Sequence, residues 1–237
     1  MALFRTDYFM STARSALVSL LLALLLPVMG LGQPIRGGAI YLYGGLSAWP
    51  GSARAIQELT TTNTYVWAGN ERYVMLSAEA YYRRNRWLLG INASTLSNKR
   101  VADGANQSFI ESSASNARVW VGWVAWHTNR ATLYPSLGPG LNSFNVNSIT
   151  PAGLLTTHVL DGFATDIGLT FDWFVLRADE ATRFAPMLSV RAGYRLTTAS
   201  AEWHGDHNGV TTLSPTQYTP QSFYLLVGVG GGSFRHR

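Results

Sequence analysis

The chain has 237 residues, no cysteine and a formal charge of +5, with 13% charged and 12% aromatic residues. The absence of cysteine excludes disulfides, a lipoprotein anchor and thiolate-bound metals. Soluble domains carry roughly 25% charged residues, so the chain is poor in charge. After residue 32 it nevertheless has no apolar run long enough for a transmembrane helix. Few charges, many aromatics and no apolar run fit a chain that hides its apolarity by alternation. The positive charge is almost all arginine, Lys99 being the only lysine, and its scatter along the sequence argues against a nucleic-acid partner.

The chain opens with Arg5 and Arg14, then an apolar run from Ala16 to Met29, then Gly30-Leu31-Gly32. The run is too short to span comfortably, and small-x-small follows it. Residues 1–32 are therefore expected to be a signal peptide, leaving residues 33–237 as one domain. From there eight alternating segments are predicted as strands: Gly37–Leu46, Tyr73–Tyr82, Trp87–Leu96, Arg118–His127, Thr132–Phe144, Phe163–Val175, Ala185–Thr197 and Ser222–Phe234. Ser52–Leu59 is predicted as a short helix in the first loop. The connections alternate in length. Arg83–Arg86, Thr128–Arg130 and residues 176–184 are short, whereas residues 47–72, 97–117, 145–162 and 198–221 are long. Long structureless loops are unusual in a compact soluble domain. They are normal in an all-β, antiparallel up-and-down transmembrane barrel with short periplasmic turns and long extracellular loops.

The faces support that reading. In the sixth strand Ile167, Leu169, Phe171, Trp173 and Val175 oppose Asp166, Gly168, Thr170 and Asp172. In the seventh, Leu188, Val190, Ala192, Tyr194 and Leu196 oppose Met187, Ser189, Arg191, Gly193 and Arg195. The second and fifth strands alternate likewise, with Glu79 on the polar face. The first, fourth and eighth are apolar on both faces and give no orientation. If the sixth and seventh strands form a hairpin, Asp166 falls beside Arg195 and Asp172 beside Arg191, within one diagonal step of a common register. These residues, with Glu79, are expected to form an enclosed ion-pair network, because a lone charge in a small barrel interior would cost several kcal/mol. Tyr82 and Trp87 flank the first short turn, Trp126 precedes the second, and Trp173 and Phe174 approach the third. They are expected to form a periplasmic aromatic girdle at headgroup level, with Trp49, Trp67 and Trp203 near the other end.

The signal peptide, the eight alternating strands, "FDWFV" before a turn, "APMLSVRAGYRL" after it and a final "FYLLVGVGGGSF" together resemble the small eight-stranded outer-membrane β-barrel families of the OmpA-transmembrane and OmpX type. The resemblance covers residues 33–237 and implies an outer-membrane location. It also implies lipid as a partner, and Phe234 as the aromatic read by the barrel-assembly machinery, although Arg235-His236-Arg237 follows it. Families of this type include structural barrels, adhesins and lipid-facing proteins, so function does not transfer with fold.

Three stretches invite chemistry. His204-Gly-Asp206-His207 carries metal-binding residue types, but its glycines and Asn208 read better as a polar loop tip. His127 stands at a strand end, where lipid A deacylase-like barrels use histidine, but the His-x-Ser spacing is absent. "GVGGGS" near the C-terminus lacks the helix start of a phosphate-binding loop. The expectation is a monomeric, non-enzymatic outer-membrane barrel with a side-chain-filled interior, no cofactor or metal, and exposed loops for structural or surface-binding roles. The alternatives are a lipid-modifying barrel enzyme and a secreted lipocalin-like barrel with its apolar face inward.

Overall fold

The computed structural model describes residues 35–60, 71–103, 108–149, 155–175, 184–197, 201–207 and 210–236. The expected signal peptide and Trp67 lie outside these residues. The strands are β1 (Ile35–Ala48), β2 (Arg72–Arg84), β3 (Trp87–Asp103), β4 (Ser108–Trp123), β5 (Trp126–His127), β6 (Ala131–Ile149), β7 (Leu155–Phe174), β8 (Ala185–Thr197), β9 (Ala201–His207), β10 (Val210–Tyr218) and β11 (Ser222–His236). One helix, α1 (Ser52–Thr60), lies between β1 and β2, where the sequence predicts one.

Eight strands make the wall. β1, β2, β3, β4, β6, β7, β8 and β11 pair antiparallel with their neighbours, and β11 returns to β1 from Ile35↔His236 to Ala48↔Phe223, closing the sheet. Closure leaves no edge in the wall, so no row of backbone donors and acceptors is left open. β5 is a two-residue continuation beyond β4 that pairs with Thr132 and Leu133. β9 and β10 form a hairpin above the wall, joined to it through Thr156–Val159 of β7.

Alternation sets the faces. Along β2, Tyr73, Met75, Ser77, Glu79 and Tyr81 are buried, while Val74, Leu76, Ala78 and Tyr82 are exposed. The three strands that the sequence leaves unoriented follow the same rule. β1 turns Tyr41 and Tyr43 inward and Ile40 and Leu42 outward. β4 turns Arg118 and Trp120 inward and Val119 and Val121 outward. β11 turns Tyr224 and Leu226 inward and Phe223, Leu225, Val227 and Val229 outward. Their inward apolar bodies are mostly aromatic rings carrying a hydroxyl or an indole N–H, which is why hydropathy alone cannot distinguish the faces.

The turn between β2 and β3 has two central residues, Asn85 and Arg86, with Asn85 at φ 59°, the left-handed region that asparagine tolerates. The turn after β5 is held by Thr128, whose amide donates to the Ala131 carbonyl at 2.8 Å and whose hydroxyl accepts from the Ala131 amide at 3.0 Å.

Several strands differ in extent from expectation. The fourth is predicted over Arg118–His127 but runs over Ser108–Trp123, with Trp126–His127 as a separate bridge. β3, β6 and β7 continue well into regions predicted as loops. Ser, Asn and Thr occupy both faces there, so the apolar alternation fades while backbone pairing continues. At the loop end the barrel is plugged. Trp49 and Ile56 are fully buried, and Trp49 stacks on Phe144 at 5.4 Å. Trp49 is thus part of the interior, not of an outer aromatic ring. At the short-turn end Phe174 packs edge-on to Phe234 at 5.7 Å, with Tyr81 beside it. Phe174 therefore faces inward, unlike its neighbour Trp173.

Candidate functional site

The chemistry-bearing side chains meet inside the barrel. Among the described residues, Glu79, Asp166, Asp172, Arg83, Arg118, Arg191 and Arg195 are the buried charged groups. β7 and β8 place Asp166 directly opposite Arg195, and their side chains approach to 3.5 Å. Asp166 also receives the Arg118 guanidinium from β4 and the Tyr224 hydroxyl from β11 at 2.6 Å. Glycine at 193 makes the last contact possible, since a Cβ there would overlap the Tyr224 phenol.

Glu79, from β2, is the second centre. It accepts from the Arg191 guanidinium across the barrel, lies 3.6 Å from Arg118, and takes the Asn92 amide at 3.3 Å. Arg191 further donates to the Ser136 hydroxyl at 3.1 Å, and its guanidinium lies 5.5 Å from the centre of the Trp120 ring. Trp120 in turn stacks on Tyr134 at 6.0 Å. Two carboxylates thus bind three guanidiniums in one chain: Arg195, Asp166, Arg118, Glu79, Arg191. These five enclosed charges persist because each has a partner of opposite sign within the barrel.

Asp172 is not Arg191's partner. The register sets it opposite Ser189, which donates to it at 2.7 Å, and the Tyr81 hydroxyl donates at 2.8 Å. Tyr43 donates to Ser189 at 3.0 Å behind it. Arg191 stands one diagonal step away, opposite Thr170, and extends toward Glu79 instead. This difference has a measurable consequence. Asp172→Asn, which leaves neutral hydroxyls to be satisfied and Arg191 still on Glu79, is expected to cost about 1–3 kcal/mol in urea unfolding. A loss as large as that from removing Glu79 would contradict the hydroxyl assignment.

Sequence reasoning misses Arg118, Tyr224, Tyr81, Asn92 and Ser189 as members of this network. Arg118 has a readable signal, an arginine sharing a strand face with Trp120 in an otherwise apolar strand. The hydroxyl donors have none.

Tyr82, Trp87, Trp126 and Trp173 all point outward and are half or more exposed except Trp173, at 45%, and Trp126, at 49%. They lie at the ends of β2, β3, β5 and β7 that meet at the short turns. His127 Nδ1 lies 2.9 Å from the Thr132 hydroxyl and 3.5 Å from the Arg83 guanidinium. The side chains of His204, Asp206 and His207 lie outside the described residues.

A closed eight-stranded wall with charges inside and apolar side chains outside decides the fold. The chain is a closed, eight-stranded, all-antiparallel β-barrel. No family model and no curated protein matches its sequence. Among solved structures, this barrel is similar to a major outer membrane protein from Thermus thermophilus (9% identity, TM-score 0.49, covering 84% of this chain and 99% of that one). It is also similar to the attachment invasion locus protein Ail of Yersinia pestis (9% identity, TM-score 0.42, 85% and 99%). A third is the outer membrane protein OprG from Pseudomonas aeruginosa (12% identity, TM-score 0.38, 87% and 97%). These likenesses concern the course of the chain and carry no activity to it.

Proposed function

We propose that the protein is a non-enzymatic outer-membrane barrel whose filled interior makes it a rigid stand for the strand extensions and the β9–β10 hairpin at its loop end. The observation that carries this reading is the outer surface. Among the described residues, twenty-seven large apolar side chains are exposed, including Ile40, Leu76, Ile91, Val121, Leu137 and Leu169. Soluble monomers do not leave contiguous apolar surface on that scale. The belt has a height. Outward arginines stand at both ends of β2, Arg72 and Arg84, with Val74, Leu76, Ala78, Ala80 and Tyr82 on the same face between them. Twelve residues at 3.3 Å each make about 40 Å along the strand, or about 30 Å across a bilayer at a tilt near 40°.

A secreted lipocalin-like barrel would need the reverse, an apolar interior and a polar wall. The interior contents favour a structural or surface-binding role over transport. Tyr134, Met187, Arg191, Arg195, Asp166 and Asp172 are all essentially buried inside the wall. The purified protein is expected to partition with outer membranes, to require detergent, and to give no steady conductance in planar bilayers. A stable open channel would contradict the filled interior, and recovery as a soluble monomer would overturn the membrane reading. The enzyme alternative is tested by lipid A mass spectrometry. The acyl pattern is expected to stay unchanged on overexpression, and a change abolished by His127→Ala would reverse the assignment.

A further inference from the structure

Six of the twelve arginines in the described residues, scattered in sequence, stand at one end of the fold. The described segments at the short-turn end, residues 35–36, 83–87, 123–133, 173–175, 184–187 and 231–236, contain six arginines and no aspartate or glutamate. Three of the arginines share a single cross-strand row. Arg84 of β2 is directly opposite Arg36 of β1, and Arg36 is directly opposite Arg235 of β11. The row continues through Trp87 of β3, opposite Arg84, to Trp123 of β4. Arg36 and Arg84 are both exposed on the outer face, and neither has an ion-pair partner among the described residues.

Directly opposed residues have Cβ atoms about 5 Å apart, and like charges so placed repel. A sheet gains nothing from such a row unless an anion sits on it. The row stands where the apolar belt ends. Tyr82 neighbours Arg84 on the outer face of β2, and Ile40 lies one small residue, Gly38, beyond Arg36 on β1. Whatever neutralises the row must therefore present its negative charge at the rim of an apolar phase. Guanidinium forks bind phosphate oxygens bidentately, and two forks side by side fit one phosphate.

We infer that Arg36 and Arg84 form a binding site for the headgroup phosphate of anionic phospholipid in the leaflet on the short-turn side. Trp87 packs beside the glycerol level. The inference rests on the membrane reading above and adds a lipid preference to it.

The test uses the full chain refolded into vesicles of phosphatidylcholine, with brominated phosphatidylcholine or brominated phosphatidylglycerol as the competing lipid. Bromine on the acyl chain quenches tryptophans in contact with it, and outward Trp87, Trp126 and Trp173 report on the rim. Phosphatidylglycerol is expected to be preferred at the protein surface by about fivefold for each arginine engaged. Arg36→Ala with Arg84→Ala is expected to bring the ratio close to one. Arg36→Lys with Arg84→Lys keeps the charge without the fork and is expected to retain part of the preference. Quenching by both lipids without preference, or a preference that survives the double alanine change, overturns the headgroup site while leaving the membrane reading intact. No quenching by either lipid overturns the membrane reading, and the site with it.

Discussion

Glu79→Ala is expected to lower the unfolding free energy of the barrel in lipid vesicles by about 3–5 kcal/mol, the cost of breaking one half of a buried ion pair. Glu79 neutralises Arg191 and lies 3.6 Å from Arg118. Without it, Arg191 is left with the Ser136 hydroxyl and the face of Trp120 among the described residues, neither of which carries a negative charge. The loss is expected to be largely recovered in the double variant Glu79→Leu with Arg191→Met. Arg118 keeps Asp166 in that variant, so no lone charge remains. Urea titration of the single and double variants beside the parent measures the recovery. A single-variant loss under about 1 kcal/mol would place Glu79 in solvent contact, the range of exposed pairs, and would remove the enclosed network as a structural element.

Leu169→Arg is the complementary change on the other side of the wall, with an expected cost of about 2–4 kcal/mol near the bilayer midplane. Leu169 lies on the outer face of β7 between Ile167 and Phe171, midway along the run from Phe163 to Val175. Asp161, on the same face but beyond Phe163, is exposed above the belt. Asp161→Arg is expected to stay within about 0.5 kcal/mol of the parent. The two substitutions put the same side chain on one strand at two depths. Equal costs would mean that no apolar phase surrounds the barrel.

Much of this architecture is legible because a strand's side-chain period is two and a barrel wall separates two media. Once Leu169 and Asp166 are known to face opposite ways, the neighbouring strands follow, and the hairpin register places Asp166 beside Arg195. Two kinds of feature are not legible. Strand ends are not, because β3, β4, β6 and β7 carry serine, threonine and asparagine on both faces beyond the apolar belt, where pairing persists without a hydropathy signal. Contacts through the lumen are not, because which strands face each other depends on closure and stagger. Hairpin register alone pairs Arg191 with Asp172, its near diagonal neighbour. Its carboxylate is Glu79, across the barrel on β2, a residue that local register cannot select. The helix α1 is readable as a helix, but nothing in its sequence shows that Ile56 within it and Trp49 beside it fill the mouth.

The seam between β1 and β11 has a consequence for assembly. It joins the first and last described strands, so until β11 is in place the wall is a curled sheet with two open edges, each able to template wrong pairing. Loop-closure entropy grows only with the logarithm of chain length, so distance along the chain is a small obstacle. β11 also brings Tyr224, one of the three groups that hold Asp166. Sealing the wall and completing the charge network are therefore one step, and any earlier intermediate carries Asp166 short of a donor beside an unsealed edge.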